Sequence, residues 1–125
     1  MTTVVAEPTL TPELALAYLG ELSTDIRAAA VLDDQGAVAA QSGFDDGDEQ
    51  SLRDLVGALF DQAARAAPET APAPQVEVSL PEGVVFAVRE KGWTIAVVAG
   101  RFALSSLMFF DLRMVIGDLS AQAAA

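Results

Sequence analysis

The sequence contains no cysteine and no histidine, and Lys91 is its one lysine. Without cysteine there is no disulfide framework and no thiol nucleophile. Without histidine or cysteine there is no zinc centre built from those ligands and no Ser-His-Asp triad. Lys91 follows Glu90 rather than glycine, so the GxxxxGK[ST] phosphate loop is missing. No apolar run reaches the ~18 residues of a membrane span, and Met1–Thr11 lacks the basic start of a secretory signal. These absences point to a non-catalytic protein, not an enzyme, that carries no cofactor or metal and lies in the cytoplasm.

What is present describes one domain. The 125 residues weigh 13.0 kDa and are 52% apolar. A chain of this size buries about two-thirds of its unfolded surface, enough for a core without staples. The 24 alanines, with arginine outnumbering lysine, suggest a GC-rich bacterial genome. The net charge is −11, which opposes binding to nucleic acid and to anionic membranes. Residues 1–61 carry 12 acids and 2 arginines, and residues 62–125 carry 6 acids and 5 bases. This surplus keeps a small domain soluble; an acidic face that steers a basic partner is the functional alternative.

Along the chain, Met1–Thr11 reads as a loose leader, residues 12–120 as the folded domain and residues 121–125 as a tail. Thr11 and Pro12 start a helix over about residues 12–23. Leu14, Tyr18 and Leu22 recur at four-residue steps and are its expected apolar stripe, flanked by Ala15 and Leu19. Ile26–Leu32 and Ala37–Ala40 flank Asp33-Asp34-Gln35-Gly36, which makes a hairpin. Ala28, Ala29 and Ala30 have poor strand propensity, but the turn argues for a strand, and small side chains let a helix approach closely. Asp46 to Glu49 has capping-box spacing ahead of a helix over about 48–66.

The apolar set of that second helix is Leu52, Leu55, Val56, Leu59, Phe60 and Ala63. With Gly57 and Ala64 it covers about half the circumference, wider than the ~100° stripe that one packing surface needs. Only Asp54, Asp61 and Arg65 form a clear polar ridge. One such helix needs two partners: the sheet is one, and a second subunit is the expected other, with the first helix as the alternative. Pro68 to Pro74 is a stiff connector.

Three strands follow. Gln75–Leu80 alternates strictly, Val84–Val88 and Trp93–Ala99 are almost wholly apolar, and Pro81-Glu82-Gly83 and Glu90-Lys91-Gly92 turn the chain. Gly100 leads to a last helix at about 102–119, with a main stripe of Leu104, Met108, Leu112, Val115 and Leu119. Leu107, Phe110 and Met114 lie off that stripe and are expected under the first helix, since both helices should share one sheet face. The order α-β-β-α-β-β-β-α with strands apolar on both faces predicts a three-layer α/β/α sandwich, an α/β (α+β) fold on a five-stranded antiparallel sheet. The half-polar Gln75–Leu80 strand belongs at an edge or under cover on one side only. Nothing blocks it except Glu77, so it is free to pair with another chain.

Three other groups are weighed and set aside. Asp45, Asp46, Asp48 and Glu49 do not fit the spacing of a calcium loop and read as a cap and a solvated loop. Asp33 and Asp34 sit at a hairpin tip, which suits turn residues and not paired acid–base catalysis. Arg101 and Arg113 read as surface charges.

The element order, the Asp33-Asp34-Gln35-Gly36 hairpin, the long second helix and Gly100-Arg101-Phe102 before the last helix resemble the Roadblock family. These are the dynein light-chain relatives that in bacteria accompany small Ras-like GTPases. The resemblance spans about residues 12–120 and implies a profilin- or longin-like fold. It also implies a homodimer in which second helices pack together and third strands pair into a ten-stranded sheet. The implied dimer interface comprises Leu52, Val56, Leu59, Phe60, Val76, Val78 and Leu80, and the implied partner-binding residues are Asp54, Asp61 and Arg65. Such proteins are platforms that hold or tune a GTPase without supplying an arginine finger. The rival reading is a small-ligand sensor, which requires a sizeable apolar cavity between sheet and helices.

Overall fold

A computed structural model describes residues 10–44, 49–66 and 75–123. Eight elements follow in order: α1 (Pro12–Leu22), β1 (Ile26–Leu32), β2 (Val38–Ser42), α2 (Glu49–Ala66), β3 (Gln75–Leu80), β4 (Gly83–Glu90), β5 (Trp93–Ala99) and α3 (Ser105–Ala123). The leader up to Thr9, the capping residues Asp46 and Asp48, the Pro68–Pro74 connector and the side chain of Ala63 lie outside the described residues.

The strands form one antiparallel sheet in the order β2-β1-β5-β4-β3. β3 is therefore an edge strand, one of the two placements that its alternation allows. α1 and α3 cover one face and α2 covers the other. The result is the expected three-layer sandwich.

Local chemistry sets the boundaries. Thr11 caps α1, its hydroxyl accepting from the Leu14 amide at 3.2 Å, and Pro12 follows at the first helical position. In the β1–β2 turn, Asp33 Oδ1 accepts from the amides of Gln35 and Ala37, both at 2.9 Å. The β4–β5 hairpin closes with two residues, Lys91 (φ 47°) and Gly92 (φ 89°). Two consecutive positive φ values define the type I′ turn that matches the twist of the strands.

The two layers differ in the size of what they bury. Under α1 and α3, Val31, Phe86, Val88, Ile95 and Val97 meet Leu19, Leu112, Val115 and Ile116. Phe86 meets Phe109 edge to face, with ring centres 5.3 Å apart. Under α2 the sheet presents a row of small side chains instead. Ala30 pairs with Ala96, Ala96 with Ala87, and Ala87 with Val76. This row spans β1, β5 and β4 and ends on β3, and Leu52, Val56 and Phe60 of α2 pack against it.

Several expectations need correction. The Leu14, Tyr18 and Leu22 stripe of α1 is the more exposed side, at 51, 44 and 38%, whereas Ala15 and Leu19 are fully buried. Burial is set by the sheet below, and the two buried positions are those over it. α3 begins at Ser105, not 102, because Gly100 to Phe102 form a turn in which the Ala103 amide donates to Gly100 O at 3.1 Å. Leu104 precedes the helix and is exposed, whereas the other four residues of the main stripe are buried. Leu107, Phe110 and Met114 are not covered by α1. They lie almost opposite the buried stripe on a 100° wheel, and α1 packs beside α3 rather than over it.

Candidate interaction surface

α2 has a buried centre and two unlike flanks. Leu52, Val56 and Phe60 are 7, 2 and 4% exposed, and their side chains are held by the chain's own sheet. Leu55 and Leu59 project on one flank, above Phe44, Val85 and Val98. Leu55 is 52% exposed and Leu59 half-buried. The polar ridge falls where expected. Asp54, Asp61 and Arg65 are all exposed, and Asp54 accepts a hydrogen bond from Gln50 at 2.9 Å. Of the seven residues named for a dimer seam, three therefore act as core.

β3 supplies the rest. Alternate side chains of a strand point to opposite faces, so Val76, Val78 and Leu80 share the α2 face with their partners Ala87, Val85 and Gly83. Val76 packs against the α2 cluster, Val78 is half-buried and Leu80 is 47% exposed. On the other face Glu77 accepts from the Ser105 hydroxyl at 2.9 Å, and the Arg113 guanidinium donates to the Gln75 side chain. Those contacts tie β3 to α3, and among the described residues no strand pairs with its outer edge. Arg113 is thus a strut between α3 and β3 rather than a plain surface charge.

The Leu55–Leu59 flank borders Val85, the cross-strand partner of Val78 on β3. The implied dimer interface omits Leu55, although it is 52% exposed. Its four-residue step to Leu59 was the signal, since it separates these two leucines from the Leu52–Val56–Phe60 series. The crevice between this flank and the sheet holds only about 20 Å³, room for about one water and far below the roughly 300 Å³ of a small-molecule site. It gives no room for an apolar ligand. Among the described residues no helix is long and apolar enough to cross a membrane, and no cluster of three or more acidic side chains is placed to hold a metal.

A five-stranded antiparallel sheet with two helices on one face and one on the other is the architecture of Roadblock and profilin domains. The solved structures bear this out. A Roadblock/LC7 domain from Streptomyces avermitilis superposes with a TM-score of 0.69 at 20% identity, over 85% of this chain and 94% of that one. The gliding protein MglB from Thermus thermophilus gives 0.66 at 16% identity, over 99 and 98%. Profilin Ib from Acanthamoeba castellanii gives 0.57 at 16% identity, over 92 and 97%. No protein-family model matches the sequence, and no curated protein matches it. At these identities the likeness is one of fold.

Proposed function

We propose that this protein is a homodimeric, non-catalytic platform for a small Ras-like GTPase in the bacterial cytoplasm. The observation that carries the reading is the pairing of an open edge strand, β3, with an adjacent helix flank that leaves Leu55 and Leu80 about half exposed. A bare edge with apolar neighbours is a ready surface for another chain. Pairing β3 with its copy would satisfy both edges and cover Leu55, Leu59, Val78 and Leu80 together. Asp54, Asp61 and Arg65 would then stand on the outer side of paired α2 helices, where a partner docks. The Roadblock-like fold, shared with MglB, supports the same reading.

Sedimentation of the purified protein should report a dimer, and tagged protein should recover a Ras-like GTPase from its own cells, identified by mass spectrometry. Replacing Asp54, Asp61 and Arg65 together by alanine should abolish that recovery and leave the dimer intact. A stable monomer, or recovery unaffected by the triple replacement, would refute the assignment.

The reading as a sensor of an apolar ligand is not favoured, because the crevice between the Leu55–Leu59 flank and the sheet is too small for one and the larger cleft on the other flank of α2 is lined by Asp33, Asp34, Arg53 and Arg89.

A further inference from the structure

The other flank of α2 borders a cleft of about 340 Å³, within the range of small-molecule sites. Its walls are the β1–β2 turn, the Arg53–Gly57 stretch of α2 and the end of the β4–β5 hairpin. The lining is polar. Two of the chain's seven basic residues, Arg53 and Arg89, face each other's side of this one space.

Both guanidiniums are held by a single nitrogen. Arg53 Nε donates to Gly36 O at 2.9 Å, and Arg89 Nε donates to the hydroxyl of buried Thr94 at 3.1 Å. Arg89 is further fixed by its face, which lies 4.1 Å from the centre of the Phe60 ring. A guanidinium has five N–H donors in a rigid fork. Each of these two has committed one, and among the described residues the terminal nitrogens of both are unpaired. Neither forms an ion pair with Asp33 or Asp34, although both acids line the same cleft. Asp33 is occupied by its own turn through the Gln35 and Ala37 amides, and Asp34 sits exposed at the tip.

We propose that this cleft binds a small ligand bearing an oxyanion, a phosphate or a carboxylate, gripped by the terminal nitrogens of Arg53 and Arg89. Planar forks anchored at Nε are suited to two-point recognition of such groups. The carboxylates of Asp33 and Asp34, which line the same cleft, would orient the ligand by accepting from its hydroxyl or amino groups and repelling a second anion. The site is on the flank of α2 away from Leu55 and Leu59, so occupancy is compatible with self-association. The inference does not depend on the GTPase reading.

Calorimetric titration of the full-length protein tests it, with ionic strength held constant by chloride. The probes are inorganic phosphate, glycerol 3-phosphate and citrate. At least one should bind saturably at one per chain. Arg53→Gln and Arg89→Gln should each weaken binding about tenfold or more, the loss of one charge-assisted contact. Arg101→Gln, in the turn before α3, should leave it unchanged. Binding of the two phosphates alone assigns a phosphate ligand, and binding of citrate alone a carboxylate. Melting in chloride checks that each variant folds. If a glutamine variant does not, Arg53→Lys and Arg89→Lys replace it, keeping charge but losing the fork, and should also weaken binding. No heat above the chloride control with any probe, or binding that survives the double replacement, would overturn the proposal.

Discussion

Replacing Val78 by aspartate separates the stability of the fold from that of the proposed dimer. Val78 lies near the middle of β3, opposite Val85, and is half-buried in the single chain. Within one chain the substitution forfeits about half the burial of a valine, so the fold should lose about 1 kcal/mol. Between chains the loss is larger, because antiparallel pairing of β3 with its copy brings the change in twice. Each copy loses its remaining apolar contact, and two carboxylates enter the seam, for a combined cost of about 3–6 kcal/mol. At 1.4 kcal/mol per tenfold, that weakens self-association by about 10² to 10⁴. Sedimentation velocity at micromolar concentration should show a dimer for the wild type and a monomer for Val78→Asp. Urea unfolding should show a small shift in midpoint with a cooperative transition retained. A variant that remains dimeric at micromolar concentration would refute the reasoning, as would one that unfolds outright, since the residue would then serve the fold.

Three further outcomes test the packing. Ala96→Leu inserts bulk into the alanine row beneath α2 and should destabilise the fold by about 1–3 kcal/mol in urea; an unchanged midpoint would mean that Leu52, Val56 and Phe60 do not pack tightly on the row. At Gly83 an added Cβ would stand 2.3 Å from Ala99 O, so Gly83→Ala should lower the melting temperature, whereas Gly20→Ala in α1 meets nothing within 4 Å and should raise stability by about 0.5–1 kcal/mol. Phe110→Ser should change stability by no more than about 0.5 kcal/mol, whereas Phe86→Ala should cost about 3–5 kcal/mol; a large loss at Phe110 would mean that its ring is covered.

Much of the fold was legible because its signals are local. The Thr11-Pro12 start, the Asp33 turn and the Lys91-Gly92 hairpin each act through bonds or torsions within a few residues. Strict alternation in Gln75–Leu80 marked a strand with one wet face, and it lies at the sheet edge. Even Ala28 to Ala30, poor strand formers, were placed correctly by the turn that follows them. The division of α2 into buried and exposed apolar residues was half legible. The excess width of the α2 apolar arc could be counted along the chain, but not which leucines would be left over.

The sequence alone determined the kind and order of elements, the alternation of β3, and the absence of cysteine and histidine, since periodicity, turn chemistry and composition are properties of the chain itself. Tertiary structure decided which side of each helix is buried. Ala15 and Leu19 prevail over Leu14, Tyr18 and Leu22, and Leu107, Phe110 and Met114 stay in water, because burial depends on the surface opposite. It also decided that three alanines from distant strands form one row under α2, and that Arg53 and Arg89 share a cleft. Those meetings arise from strand pairing far apart in the chain, which no local pattern encodes.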